Sequence, residues 1–211
     1  MGIRQCQNLQ TLIIDASYCG LYVSSFRYLM SLAEQCQVLK FNLSHNAFFN
    51  EEPELIDKLI CEDLQKLELD LSDIYIDAEC FKSICNAFAK YSNLKSFDLQ
   101  LKNSNIDDSC LQHFNVFFSY CTKLDFIALD LSQNRIGEKG AQDFGLALAK
   151  CINVTKIKIQ FDFNEITDLG VKSIGLAIKD ISNLKYLELN FENIRLTLNG
   201  ECNFLFFSKE K

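Results

Sequence analysis

The chain has no tryptophan, a single proline, eight glycines and two histidines among 211 residues. So little proline and glycine leaves no material for flexible linkers between domains. Neither His45 nor His113 stands with cysteines at zinc-ligand spacing. No glycine-rich phosphate loop and no metalloprotease-type helix motif is present, so the sequence points to no catalytic residue, no cofactor and no metal. No apolar run approaches the ~18–20 residues that span a bilayer. The opening residues, MGIRQCQNLQ, lack the apolar core of a signal peptide, and Cys6 stands where a myristoylation pattern needs Ser or Thr. Basic stripes are missing too. With a net charge of −7, the chain reads as no nucleic-acid binder, and a basic protein surface is the partner it suits.

What is present is a repeat. Leu64, Leu94, Leu124, Val154 and Leu184 follow one another at intervals of 30 residues. So do Leu67, Phe97, Ile127, Ile157 and Leu187, and likewise Leu69, Leu99, Leu129, Ile159 and Leu189. Leu71, Leu101, Leu131, Phe161 and Phe191 make a fourth column. A fixed period of this size marks a solenoid, in which each unit buries its apolar face only by stacking on its neighbours. Such an array offers a surface for holding a partner rather than a catalytic pocket.

Within residues 121–150, Leu124-x-x-Ile127-x-Leu129-x-Leu131 alternates as a strand with one buried face. Ser132 to Arg135 turn the chain, and Ile136 re-enters the core. Ala141, Phe144 and Leu148 then recur at helical spacing. One strand and one helix per unit predict a parallel sheet lined on one side by helices. The chain divides into one array over 1–211, with units at about 6–35, 36–60, 61–90, 91–120, 121–150, 151–180 and 181–211. The second is short, with its helix expected to open near Pro53. The last is incomplete: Gly200 and Phe204 begin a further helix. Uncapped ends predict end-to-end contacts, or membership of a longer array.

The ten cysteines fall into this register. Cys6, Cys36, Cys61, Cys121 and Cys151 are assigned one slot, which Tyr91 and Ile181 fill elsewhere. Cys80 and Cys110 share another with Gly140 and Gly170, and Cys85 aligns with Asn115, Gly145 and Gly175. Replacement by Gly, Tyr and Ile signals small or apolar packing, not ligation. Free thiols imply a reducing, cytoplasmic compartment.

The run L-x-x-L-x-L-x-x-N-x-I resembles a leucine-rich repeat, and the long helical half with a cysteine before the next strand resembles the ribonuclease-inhibitor-like subfamily. The resemblance implies a curved α/β solenoid of about seven repeats, strands concave and helices convex. It implies that Asn46, Asn134 and Asn164 satisfy backbone groups in the turns. It also implies a non-enzymatic protein-binding role on the concave sheet. Alternatives from the same subfamily are a regulator of the Ran GTPase-activating kind with Arg135 as a contact residue, an inhibitor of a basic enzyme, and the recognition arm of a larger multidomain protein. Three departures stand out. An extra L-x-L step lengthens each strand by two residues. Ile74, Ser104 and Ile194 occupy the asparagine slot, with Asn105 and Asn193 one place away as candidates to compensate. The second unit is irregular.

Polar alternates of the strands form the exposed columns of the concave face. The candidate partner-binding residues are Glu68, Asp70, Asp98, Phe126, Asp130, Lys156, Lys158, Tyr186 and Glu188. Phe126 and Tyr186 read as aromatic anchors, ringed by acids that steer a basic partner. The competing reading is a solvated sheet face charged for solubility, in which acid alternates with amide in the Asp70, Gln100, Asp130, Gln160 column to avoid like-charge stacking.

Overall fold

A computed structural model describes residues 9–22, 24–25, 28, 36–46 and 63–195. Its strands are β1 (Thr11–Asp15), β2 (Val38–Asn42), β3 (Lys66–Asp70), β4 (Ser96–Gln100), β5 (Phe126–Asp130), β6 (Lys156–Gln160) and β7 (Tyr186–Asn190). All seven are parallel and lie in chain order in one open sheet. The described helices are α1 (Ala78–Phe88), α2 (Asp108–Leu111), α3 (Phe114–Tyr120), α4 (Glu138–Leu148) and α5 (Asp168–Lys179). Helices return the chain on one face, and among the described residues no element covers the other face of the sheet.

Alternation decides which strand residues go inside. In β3, Leu67 and Leu69 are buried while Lys66, Glu68 and Asp70 are half-exposed, and β4 repeats the pattern. From β3 onward each residue pairs with the one 30 later, as in Lys66↔Ser96 and Phe126↔Lys156. The expected two-residue extension is not strand: each strand is five residues long and ends before Leu71, Leu101, Leu131 or Phe161, although the hydrogen bonds between units continue past it. Beyond β3, Leu71 N–H donates to Gln100 O (2.9 Å) and Asp73 N–H to Lys102 O (2.9 Å), and later units repeat this.

The period slips in the first two units. Val38 pairs with Lys66 and Thr11 with Val38, so the strand-to-strand steps fall to 28 and 27 residues. That corrects the assignment of Cys36. Two residues ahead of Val38, it falls in the Leu64 column, not in the slot of Cys121, and its thiol lies 3.4 Å from Leu9 O. Cys6, Cys61, Pro53, Gly200 and Phe204 lie outside the described residues.

Each turn after a strand needs buried backbone groups satisfied. Asn134 does this across two units. Its Oδ1 accepts from the amides of Ser104 (3.0 Å) and Ile106 (2.9 Å), and its Nδ2 donates to Leu101 O (2.7 Å) and Leu131 O (3.1 Å). Asn164 and Asn46 repeat the arrangement. At the slot held by Ser104, its own hydroxyl donates to Leu71 O (2.8 Å) and Lys102 O (3.1 Å). Asn105 and Asn193 do not compensate, contrary to expectation. Asn105 points outward to Arg135, and Asn193 belongs to a different column.

That column is a left-handed backbone position repeated in every unit: Tyr18, His45, Asp73, Asn103, Gln133, Phe163 and Asn193 all have φ between 53° and 58°. Asn and Asp accept this conformation readily, and bulky residues pay strain of about 1–3 kcal/mol. Hydrogen bonds hold it in place. The amides of His45, Asp73, Asn103, Gln133 and Phe163 each donate to the carbonyl two residues past the end of the next strand.

The core between sheet and helices is a phenylalanine spine. Phe88, Phe97 and Phe117 meet one another, Phe114 and Phe118 meet Phe144, Phe144 meets Phe161, and Phe161 stacks on Phe191 at 5.2 Å. Such contacts contribute ~0.5–1.5 kcal/mol each beyond burial. The spine also breaks a helix. Leu111, Phe114 and Phe118 recur at the helical spacing of Ala141, Phe144 and Leu148, yet Gln112 and His113 separate α2 from α3. Phe117 fills the position that Ala87, Ala147 and Ala177 hold in other units, and it is fully buried 4.5 Å from Phe97. A ring in an alanine slot demands room, and the preceding turn yields it.

Candidate interaction face

The uncovered sheet face carries three columns of side chains from strand positions 30 apart, each rung about 4.8 Å from the next. All nine candidate residues stand on it, aligned by the strand register. They do not stand as independent groups. Glu68 accepts ion pairs from Lys66 (2.6 Å) and from Lys40 on β2 (2.8 Å). Burial works against its charge, but those bonds prevail and hold its carboxyl below the ordinary range. Lys40 was missed in the sequence because the shortened first units take it out of the 30-residue phase.

At the other end, Glu188 pairs with Lys158 (2.8 Å) and accepts a bond from the Tyr186 hydroxyl (2.7 Å), and these bonds lower its pKa. Lys156 sits between two rings: its Nζ is 4.7 Å from the centroid of Tyr186 and 5.5 Å from that of Phe126. The two expected aromatic anchors therefore clamp a lysine of their own column.

Asp98 lies between these ends. Ala128 beside it on β5 is buried, because longer neighbours close over it. Desolvation pushes the Asp98 pKa up, against the bond it accepts from Gln100 Nε2 (2.5 Å), and nearby Glu68 adds to the rise.

Asp70 and Asp130 have a second role that the sequence reading did not assign. Asp70 Oδ1 accepts from Ser72 N–H (2.9 Å), and Asp130 Oδ1 accepts from Ser132 N–H (2.9 Å) and its hydroxyl (2.5 Å). Asp15 and Asn42 do the same for Ser17 and Ser44. The signal was available: Asx-x-Ser recurs at the end of four strands, the pattern of an Asx turn. One oxygen of each aspartate is fixed in the turn, and its charge still faces the open side.

Arg135 lies on the rim of this face, hydrogen-bonded to Asn105 Oδ1. A shallow recess of about 320 Å³ opens there, lined by Asp73, Tyr75, Asn103, Asn105, Gln133, Asn134 and Arg135. His45 stacks on Tyr18 at 4.0 Å and pairs with Asp73 (3.3 Å), so it belongs to the row of turns. His113 precedes α3 and makes no side-chain capping bond to it, and desolvation lowers its pKa. Six of the seven described cysteines are buried, and burial pushes the thiols of Cys80, Cys110, Cys121 and Cys151 up to about 12. Thiols so disfavoured as thiolates are packing groups. No helix among the described residues is long and apolar enough to cross a membrane.

No known family profile matches the chain, and no curated protein matches it in sequence. Among solved structures, internalin C2 from Listeria monocytogenes superposes with a TM-score of 0.52 at 19% identity, covering 89% of this chain and 63% of that one. This chain therefore spans less than two thirds of that neighbour's length, and at such identity the likeness concerns the fold alone. Seven parallel strands in one open sheet, helices on one side and a leucine-rich-repeat neighbour together identify the fold as an α/β leucine-rich-repeat solenoid of about seven repeats.

Proposed function

We propose that the chain is a non-catalytic protein-binding module that docks a partner polypeptide on its concave sheet face. One observation carries this reading: the lysines of the open face are already held by neighbouring side chains, on the same strand or the next. Lys66 and Lys40 are fixed on Glu68, Lys158 on Glu188, and Lys156 between two rings. Side chains ordered before contact lose less entropy on binding. Carboxylates outnumber lysines on the described strand positions of this face, which steers a partner with basic character. Assignment to the ribonuclease-inhibitor-like subfamily fits the 30-residue unit with its helical half. The buried thiols suit a reducing, cytoplasmic setting, and the array reads as one domain over 1–211. The acidic balance argues against nucleic acid as partner.

The test is partner capture at two salt concentrations with wild type and with Glu68, Asp98 and Asp130 all changed to Lys. Weaker capture by the variant and at high salt supports the concave face. Capture that ignores both changes would place binding on another surface.

A further inference from the structure

The concave face is not uniformly acidic, and its charges are separated in space. Four lysines stand at described strand positions of this face: Lys40, Lys66, Lys156 and Lys158. Three of them form ion pairs with Glu68 or Glu188. Lys156 forms none among the described residues; its ammonium lies over the rings of Phe126 and Tyr186 and acts on Glu188 only at longer range, helping to lower that carboxyl's pKa. Asp70, Asp98 and Asp130 form no ion pairs among the described residues either, and they occupy β3, β4 and β5. The carboxylates without an ion pair therefore lie on β1, at Asp15, and on β3–β5, and the lysine without one lies on β6. Lys156 stands first in its strand, Asp98 third, and Asp70 and Asp130 fifth, so with the offset along the strands the separations are about 12 Å to Asp98, about 14 Å to Asp130 and about 20 Å to Asp70.

Lys156 is built as a contact group. A lysine normally loses much rotamer freedom on binding. Here its ammonium lies over ring faces from the strands on either side, so that freedom is already restricted. The rings stabilise the ammonium electrostatically without consuming its charge as a carboxylate would. A carboxylate brought from outside can still pair with it.

We propose that this face takes a charge-bipolar polypeptide segment: one acidic side chain sits over Lys156, and one basic side chain, about 12–20 Å away diagonally across the strands, sits over the Asp70, Asp98 and Asp130 group. That separation matches about four to six residues of extended chain, or about two to four turns of helix. The inference rests on the concave face being the docking surface and names the partner's chemistry there.

The test uses the full chain at low ionic strength, where the Debye length is at least ~10 Å. Three synthetic peptides are titrated: one with a lysine block and a glutamate block, one with the same residues alternating, and one all lysine. The block peptide is expected to bind about fivefold more tightly than either of the others, the effect of one added exposed charge pair. Lys156→Met keeps an unbranched side chain at this position and removes the charge, and it should abolish that preference. An all-lysine peptide that binds as tightly as the block peptide, no binding by the block peptide, or a preference that survives Lys156→Met would each overturn the inference. Asp98→Lys separates the two readings. If it weakens peptide binding while Lys156→Met has no effect, the concave face stands and the bipolar partner falls. If neither substitution changes binding, the concave face itself is wrong.

Discussion

Two carboxylates one strand apart respond to pH in opposite directions. Asp98 has a raised pKa, chiefly through desolvation, so folding disfavours its charged form. Its penalty is fully present above the folded pKa and disappears as pH falls toward the unfolded value. Asp98→Asn should therefore raise the urea midpoint at pH 7 and leave it unchanged at pH 3. Glu68 has a lowered pKa and adds stability above its unfolded value, lost as pH falls through the folded one. Glu68→Gln should lower stability at pH 7 by about 0.5–1 kcal/mol, as for a partly exposed ion pair, and by less at pH 3, where more of the carboxyl is protonated. Paired urea titrations at the two pH values check both. A loss of stability in Asp98→Asn at pH 7 would mean that its bond with Gln100 outweighs desolvation.

At the same scale, legibility depended on whether a side chain's role showed in spacing alone. The asparagine slot did, and Asn134 and Asn164 make the backbone bonds expected of it. Asn134→Ala would leave several buried backbone groups unpaired, each worth about 1–3 kcal/mol. A fall in stability of less than about 1 kcal/mol in chemical denaturation would show that water enters the turn instead. By contrast, the turn role of Asp70 and Asp130 lay hidden. Their alternation with amides suited charge avoidance equally well, and only the serine two residues on distinguishes the explanations.

Among elements, the helices show what a period conveys and what it conceals. Apolar spacing in residues 108–120 matches the other units, yet that helix is broken, because periodicity records where apolar groups fall and not their volume. The Cys80, Cys110, Gly140, Gly170 slot likewise announced a small residue without saying why glycine replaces cysteine. Asp108 explains it at Gly140. Its carboxylate accepts from Gly137 N–H (2.6 Å) at the N-terminus of α4, a helix with no side-chain cap of its own. A Cβ on Gly140 would lie 2.4 Å from Asp108 Oδ1 and 2.9 Å from its Cα. Gly140→Ala gains helix propensity of about 1 kcal/mol, but it must displace backbone as well as carboxylate. The clash is expected to dominate, with a net loss of about 1–3 kcal/mol. Thermal unfolding of Gly140→Ala alone and with Asp108→Ala tests the cause. A second substitution that restores nothing would locate the strain in the backbone rather than in the carboxylate.

Over the whole molecule, strands pair only with their immediate neighbours in the chain, β1 through β7 in order. The early slip to steps of 27 and 28 residues does not disturb that order, so the global fold was legible even where the register was not. A quasi-one-dimensional array divides its stability into units and nearest-neighbour interfaces. Weakening one central unit should then uncouple the two sides instead of lowering the whole molecule evenly. Leu129, buried in the middle of β5, is the place to do so. Leu129→Ala removes about 2–5 kcal/mol from one unit. In native-state hydrogen exchange, β4 and β6, the two strands paired with β5, should lose protection by different amounts in this variant. Among the described strands β4 has β1 to β3 behind it, and β6 has only β7. Equal loss of protection in both strands would show that the phenylalanine spine, running unbroken from Phe88 to Phe191, couples the array into a single cooperative body.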